Sequence, residues 1–170
     1  MWCETKLSSP EVRGATPSEV NLDHFHALIS VGASILVNAP VHKVYEHWTR
    51  VEEFPKFMNA VREVRRIEGN RFFWRVERGG REYESILEVV LRIPERRVAW
   101  RTISGAESSG VVGFDPLPGN KTIVSFKMKY SPNAGWNNSA ALLARIRKRL
   151  EGFKSFIESL PETPSTSTNH

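Results

Sequence analysis

Hydrophobic and polar residues alternate along much of the chain, and turn sequences separate the alternating stretches. Strict alternation is typical of β-strands with one buried face. Gly-Asn, Gly-Gly and Pro-Glu pairs and a Pro-Gly-Asn triplet separate most of these stretches. The pattern therefore predicts one strand at residues 33–37 and an antiparallel meander of six strands at about residues 61–68, 71–77, 82–93, 97–103, 108–114 and 122–130.

Two of the predicted hairpins also indicate which residues face each other. A two-residue turn at Gly79-Gly80 predicts the pairs Val76/Tyr83, Trp74/Ser85, Phe72/Leu87 and Arg75/Glu84. A reversal at Pro94-Glu95 predicts the pairs Leu91/Val98, Val89/Trp100 and Glu88/Arg101. Apolar residues meet apolar residues and charges meet opposite charges, so this register separates an apolar face of the sheet from a charged one.

Helical periodicity occurs on both sides of the meander. Asn38, with Pro40 in the first turn, predicts the start of a short helix, and a second, irregular helical turn follows around Pro55. Residues 138–160 predict a long helix with basic residues opposite its apolar stripe. The stripe consists of Leu143, Ile146, Leu150, Phe153, Ile157 and Leu160. We expect the basic side, with Arg145, Arg147, Lys148, Arg149 and Lys154, to face water.

These elements predict an α+β fold in which the long helix packs on the apolar face of a seven-stranded antiparallel sheet. Seven strands span about 29 Å, whereas one helix covers about 10–12 Å, so the sheet must curve and a space is expected beside the helix. The predicted cavity-lining residues are Trp48, Phe54, Phe57, Met58, Trp74, Tyr83, Trp100, Phe114, Phe126, Met128, Tyr130, Leu143, Ile146 and Leu150. Any single one of these residues is more simply explained as part of a solid core, but for the set as a whole the geometry favours a pocket.

Length and composition limit the domain organisation. The chain has 170 residues, 40% of them hydrophobic, which suits one domain at residues 31–160. Residues 1–30 and 161–170 lack regular periodicity and are predicted to be a flexible extension and a disordered tail. The single cysteine, Cys3, excludes a disulfide framework, and no long apolar run or secretory signal is evident. We therefore predict a soluble, cytoplasmic protein without a metal or cofactor.

Few residues suggest catalysis. Ser85 is predicted to face inward, but no nearby histidine would activate it. His42 and Glu46 lie one helical turn apart without a third ligand, which makes a poor metal site.

A tight turn at Gly69-Asn70 would turn Glu63 and Arg65 towards the cavity, where they could anchor a polar ligand or act as acid and base. A bulge in the strand at residues 61–68 would instead turn Val64 inward and keep the charges of Glu63 and Arg65 in water.

The basic residues leave a nucleic-acid alternative. Net charge is +5, and arginines cluster at positions 62, 65, 66, 71, 75, 78 and 81. A continuous exposed patch of this kind could bind RNA, with strongly salt-dependent affinity. However, Arg75 and Arg101 already have predicted carboxylate partners in the hairpin register. In addition, no aromatic side chains interleave with the basic residues, as they do in proteins that bind single-stranded nucleic acid. A solvated charged face is the simpler interpretation.

Several motifs resemble one protein family. The stretches at residues 37–40, 54–58, 100–101, 110–114, 121–124 and 130–135 are similar, in order, to the polyketide cyclase/dehydrase and coenzyme-Q-binding (COQ10-like) branch of the START-like (SRPBCC) superfamily. The resemblance covers about residues 30–160 and implies a helix-grip fold, with a curved sheet wrapped around the C-terminal helix and a hydrophobic cavity.

The resemblance implies binding of a hydrophobic or amphipathic small molecule, such as a lipid, an isoprenoid quinone or a polyketide-like compound. The basic cluster from Arg145 to Arg149 could in addition contact an anionic membrane surface transiently when a lipid is collected. Two alternatives stay open: a cyclase or dehydratase, and a ribosome- or RNA-associated toxin-like module. No convincing acid or base is evident in the sequence, so binding without covalent chemistry is the favoured interpretation.

Overall fold

The computed structural model describes residues 28–134 and 138–162, which form one curved antiparallel sheet and two α-helices. The elements in chain order are β1 (Ile29–Val37), α1 (Val41–Thr49), a short 3-10 helix (Val51–Lys56), β2 (Val61–Glu68), β3 (Arg71–Arg78), β4 (Arg81–Ile93), β5 (Arg97–Ser104), β6 (Ser108–Leu117), β7 (Lys121–Tyr130) and α2 (Ser139–Ser159). The sheet order is β1-β7-β6-β5-β4-β3-β2. This confirms the predicted α+β architecture. The predictions for residues 1–27 and 163–170 lie outside the described residues.

The β3–β4 hairpin has the predicted register. All four expected pairs are observed, from Phe72 opposite Leu87 to Val76 opposite Tyr83. Gly79 and Gly80 form the turn with φ values of 57° and 76°. A two-residue turn with both central residues at positive φ matches the twist of the flanking strands, and only glycine adopts this conformation at little cost. The turn chemistry therefore determines the register here.

The β4–β5 hairpin departs from the prediction at a bulge. Val89 lies opposite Trp100 as expected, but an extra residue follows Val89, so Leu91 lies opposite Ala99 and not Val98. Arg92 takes the position opposite Val98. A bulge adds one residue to one strand and exchanges the faces beyond it. It therefore turns Arg92 towards the apolar face of the sheet in place of Leu91.

β2 also contains irregularities, and its charged residues face away from the apolar side. Register shifts occur at both ends of the strand, and Val64 is buried while Ile67 is 46% exposed. The Arg65 Nε donates to a Glu63 carboxylate oxygen at 3.1 Å on the exposed face. The expectation that Glu63 and Arg65 reach the cavity is therefore wrong, because the bulged alternative keeps both charges hydrated.

β1 is longer than predicted. It begins at Ile29 because the alternation of partly buried and exposed residues extends upstream, and it pairs with β7 from Ile29/Tyr130 to Val37/Thr122. The predicted domain boundary after residue 30 thus falls inside this strand. At its end, Asn38 does not cap α1, whose N-cap is Pro40. The Asn38 backbone N–H instead donates to a Glu158 carboxylate oxygen at 2.9 Å.

α2 begins as predicted, but its buried face is rotated slightly. The Asn138 side chain accepts hydrogen bonds from the backbone N–H groups of Ala140 and Ala141, at 3.0 and 3.2 Å. The buried residues are Leu142, Ile146, Leu150, Phe153 and Ile157. Leu142, not Leu143, begins the stripe; steps of three and four residues from Ile146 both fit a helix face, and the rotation of α2 against the sheet buries Leu142. Phe153 contacts the Trp48 ring edge-on at a centroid distance of 4.9 Å and so joins α2 to α1.

Glu158 tethers the end of α2 to the end of β1, and replacing it should cost stability in a pH-dependent way. Its hydrogen bond from Lys154 and, next, that from the Asn38 N–H lower the pKa of the Glu158 carboxyl. A lowered folded-state pKa stabilises the protein above the unfolded pKa, and this stabilisation is lost as the pH falls through the folded value. We expect Glu158→Gln to reduce the free energy of unfolding by about 0.5–1 kcal/mol at neutral pH, with the difference disappearing in acid.

Urea denaturation of both proteins across this pH range measures the effect. Glu68→Gln is the matched control, since Glu68 is exposed and no ion pair involves it within the described part of the chain. A Glu158→Gln penalty that persists below the folded pKa would contradict the tether.

Candidate ligand-binding cavity

A cavity of about 250 Å³ lies between α2 and the inner face of strands β3–β5. α2 approaches β1 most closely among the strands, and no comparable backbone contact joins it to β3, β4 or β5 in the described residues. One helix is too narrow to cover both halves of a seven-stranded sheet. The cavity occupies the half that α2 does not cover.

The cavity wall is built mainly from residues that alternate along the strands. β3 contributes every second residue from Phe72 to Arg78, and β4 contributes every second residue from Tyr83 to Val89 together with Glu84 and Arg92. α1, the 3-10 helix, β5–β7 and α2 complete the wall. Its apolar residues include Trp48, Val51, Phe54, Met58, Phe72, Trp74, Val76, Tyr83, Leu87, Val89, Val98, Trp100, Phe126, Met128, Leu142, Ile146 and Leu150. Period-two alternation thus collects aromatic and aliphatic side chains on one concave surface.

Many of these side chains keep contact with solvent, unlike those of the core. Trp74, Val76 and Trp100 are only partly buried, and Tyr83 is 42% exposed. The core residues Val37, Val124 and Phe153 are each 0% exposed. Apolar side chains that line a cavity and still meet water gain free energy when an apolar partner covers them.

The structure brings most of the predicted residues together here. Those that line the cavity are Trp48, Phe54, Met58, Trp74, Tyr83, Ser85, Trp100, Phe126, Met128, Ile146 and Leu150. Those that do not are Phe57, Glu63, Arg65, Phe114, Tyr130 and Leu143. Phe57 instead stacks on Phe156 at 4.7 Å outside the cavity. Phe114 and Tyr130 are 2% and 0% exposed and belong to the solid core near β1, β6 and β7.

The Trp100 indole depends on Gly110 of the neighbouring strand. The two residues face each other across β5 and β6, and a Cβ atom at Gly110 would lie 2.6 Å from the Trp100 ring. Heavy atoms do not approach so closely, so any larger residue would displace the ring. Gly110 therefore provides the space in which Trp100 lies as part of the cavity wall.

Four arginines line the cavity that sequence reasoning did not assign to it: Arg78, Arg92, Arg145 and Arg149. Arg78 continues the alternating inward series of β3, so the sequence pattern could have assigned it to the cavity. Arg92 faces inward only because of the bulge after Val89, which no sequence pattern indicated. Arg145 and Arg149 were expected on the water-facing side of α2. Arg149 is partly buried and borders the cavity, so that expectation is wrong for it.

The arginines at the cavity wall influence one another. Burial lowers the pKa of the Arg149 guanidinium, and the positive charges of Arg145 and Arg78 lower it further. Burial also lowers the pKa of Arg78, whose guanidinium lies over the Tyr83 ring at 4.0 Å from its centroid. Desolvation and like charges both disfavour the protonated form. This part of the wall is therefore positively charged at an electrostatic cost.

Uncharged polar groups at the wall are few. Thr102 and Ser108 share a hydrogen bond of 2.8 Å between their hydroxyl oxygens, and Thr49 and Ser85 add two further hydroxyls. Among the described lining residues the one carboxylate is Glu84, which accepts a hydrogen bond from Arg75 Nε at 3.3 Å. These groups can orient a ligand through hydrogen bonds.

The histidines of α1 lie away from the cavity. His47 Nδ1 is 2.9 Å from a Glu53 carboxylate oxygen, and His42 is exposed. Glu46 pairs with Arg50. Over residues 28–134 and 138–162, no group of three or more histidine, cysteine, aspartate or glutamate side chains is arranged to hold a metal ion.

On the outer face of the sheet, arginines alternate with carboxylates. The ion pairs there are Arg62–Glu77, Arg65–Glu63, Arg71–Glu88, Arg75–Glu63, Arg75–Glu82, Arg75–Glu84 and Arg101–Glu88. Each pair is worth little in stability at an exposed position. Together they neutralise much of the arginine cluster that suggested nucleic-acid binding.

Neither of the two α-helices in the described part of the chain is long and apolar enough to cross a membrane.

Comparison with known proteins identifies the family. Residues 37–154 match the family model described as polyketide cyclase/dehydrase and lipid transport. An uncharacterised 17.2 kDa protein of Streptomyces lincolnensis is 35% identical over 133 residues, which cover 75% of this chain and 89% of the relative. The chain therefore belongs to the polyketide cyclase/dehydrase and lipid transport family.

Solved structures give the same fold. A START superfamily protein from Mycobacterium smegmatis has a TM-score of 0.67 at 11% identity and covers 78% of this chain and 99% of its own. The Zhui aromatase/cyclase of a Streptomyces species has a TM-score of 0.65 at 16% identity, with coverage of 77% and 94%. A Deinococcus radiodurans protein has a TM-score of 0.60 at 26% identity, with coverage of 75% and 95%. The START-like helix-grip fold predicted from the sequence is thus confirmed.

Proposed function

We propose that this protein binds a hydrophobic or amphipathic small molecule in the cavity between α2 and strands β3–β5. The observation that carries the proposal is the contrast between the solid core and the cavity wall, where aromatic side chains such as Trp74 and Trp100 stay partly exposed. Burying apolar ligand surface against them would contribute about 25 cal/mol per Å². The hydroxyl groups of Thr102 and Ser108 would set the orientation of the ligand.

The cavity volume limits what fits. The cavity offers about 250 Å³. This favours a compact ring compound, or one segment of a longer lipid or isoprenoid chain whose remainder extends past exposed wall residues such as Tyr83. The family description names polyketide cyclase/dehydrase and lipid transport, so it is compatible with either class.

Binding without chemistry is the simpler function for this wall. A cyclase or dehydratase needs an acid or base within hydrogen-bond reach of its substrate. The carboxylate of Glu84 is already bound by Arg75 at the exposed face. An RNA-directed role is less favoured, because the outer arginines are paired with carboxylates. The cytoplasmic location stays a prediction.

A fluorescence titration with N-phenyl-1-naphthylamine, a neutral apolar dye, tests the proposal. We expect saturable emission enhancement with one site per chain and quenching of the tryptophans at the wall. Native mass spectrometry of the purified protein, followed by extraction, would identify a retained natural ligand. Absence of saturable dye binding, with no retained small molecule, would overturn the proposed function.

A further inference from the structure

Three arginines stand where the apolar cavity meets a second depression on the protein surface. Arg78, Arg145 and Arg149 line both. The second depression also contains Arg62 and Lys148 and the carboxylates of Glu77 and Glu151. The three shared arginines therefore form a boundary between an apolar interior and a charged surface, and we refer to them as the arginine boundary.

The fold itself brings these residues together. Arg78 is the last residue of β3 and continues its inward-facing series after Trp74 and Val76. Arg145 and Arg149 lie one helical turn apart on α2, beside the buried stripe residues Ile146 and Leu150. Residues four apart on a helix share a face, so both guanidinium groups approach the end of β3.

Two of the three charges at the arginine boundary, those of Arg145 and Arg149, have no carboxylate partner among the described residues. In the second depression, Glu77 pairs with Arg62. Three like charges near a cavity wall repel one another, and burial of Arg149 weakens its hydration. An anion at this position would relieve both costs.

We propose that the bound molecule is an amphipathic anion, whose apolar part fills the cavity and whose carboxylate or phosphate group binds the arginine boundary. This inference rests on the proposed function and narrows its ligand class. Guanidinium groups bind carboxylates and phosphates through paired hydrogen bonds, and such bonds are stronger where water is partly excluded. The aromatic wall alone would give no preference for charge.

Competition against the neutral dye separates this inference from the proposed function. Four competitors share a ten-carbon chain: decanoate, decyl phosphate, decan-1-ol and decyltrimethylammonium. We expect both anions to displace the dye at concentrations at least about tenfold lower than the alcohol and the cation, in a salt-sensitive manner. The ratio between decanoate and decyl phosphate tells which anionic group the boundary prefers.

Substitution of single arginines tests the residues. Arg149→Met keeps the long apolar stem and removes the charge, and we expect it to weaken the binding of the preferred anion about tenfold to a hundredfold, while decan-1-ol binding stays within about twofold. Arg145→Met should give a smaller loss, since Arg145 is more exposed. Arg147→Met is the matched control, because Arg147 lies on the same helix and lines neither the cavity nor the depression.

The ligand-free variants give an independent readout. Arg149→Met should raise the melting temperature, since it removes a partly buried charge that two other arginines repel, whereas Arg147→Met should leave it unchanged. Equal displacement by anions and alcohol, or equal anion binding by the Arg149→Met and Arg147→Met proteins, would overturn the inference and leave the proposed function standing. Failure of the dye itself to bind would overturn both.

Discussion

Replacing Gly152 with alanine should destabilise the protein by about 2 kcal/mol, although alanine is the better helix former by about 1 kcal/mol. Gly152 lies in α2 where the helix crosses the segment before β2. A Cβ atom there would lie 2.4 Å from the Phe57 carbonyl oxygen, which is a rigid backbone atom. Helix or segment must therefore move apart, and the packing of Phe153 on Trp48 would loosen.

Thermal and urea unfolding measure this loss, with an expected decrease of melting temperature of about 8 °C. Ser155→Ala is the matched control, because Ser155 is exposed one turn later on the same helix and its replacement changes only helix propensity. We expect that control to be neutral or slightly stabilising. If Gly152→Ala instead stabilised the protein, α2 and the Phe57 segment would not be in close contact.

Replacing Val89 with phenylalanine should reduce the affinity for N-phenyl-1-naphthylamine about tenfold or more, which corresponds to about 1.4 kcal/mol or more. Val89 lines the cavity from β4 and lies opposite Trp100. The larger ring would occupy part of a space of about 250 Å³. Stability should change by less than about 1 kcal/mol, because the ring enters existing space and not a filled core.

Val90→Phe is the matched control for this substitution. Val90 is the next residue of β4, is 53% exposed and does not line the cavity. We expect its replacement to leave dye affinity within about twofold of the wild-type value. Dye titration measures the affinity of both variants, and urea unfolding measures their stability. If a folded Val89→Phe protein bound the dye as tightly as the wild type, the dye would bind elsewhere and the proposed site would be wrong.

Two groups of basic residues differ in their surroundings. On the outer face of the sheet, arginines such as Arg75 and Arg101 contact glutamates, as the hairpin register predicted. Along α2, Glu151 is the one acidic residue within a turn of the basic residues at 145–149. Within the described residues Arg145 and Arg149 have no carboxylate partner, so the cavity wall carries positive charge that the proposed anionic ligand would meet.

The predicted register of the hairpin at Gly79-Gly80 is confirmed, because the turn residues and the strand pattern indicate the same pairs. Two glycines at positive φ form a two-residue turn, and alternation then assigns Trp74 and Tyr83 to one face. Both signals are local in sequence. The start of α2 was predictable for the same reason, since the Asn138 side chain caps the helix within three residues.

Other positions depend on contacts between distant parts of the chain. An extra residue after Val89 places Arg92 at the inner face of the sheet in place of Leu91. The alternation of the sequence does not predict such a bulge. The apolar stripe of α2 is compatible with Leu142 or Leu143, and the buried choice depends on how the helix rotates against the sheet. The same rotation brings Arg149 to the cavity wall.

The sequence by itself determined the meander of six strands, the long helix and the aromatic face, because turn residues, alternation and capping act over a few neighbouring residues. The pairing of β1 with β7 is long-range and came from the tertiary structure. Only the tertiary structure decided the size of the cavity, the outward position of Glu63 and the meeting of Arg78 with Arg145 and Arg149. These features follow from bulges and from the rotation of α2, which respond to packing and to the cost of burying charge.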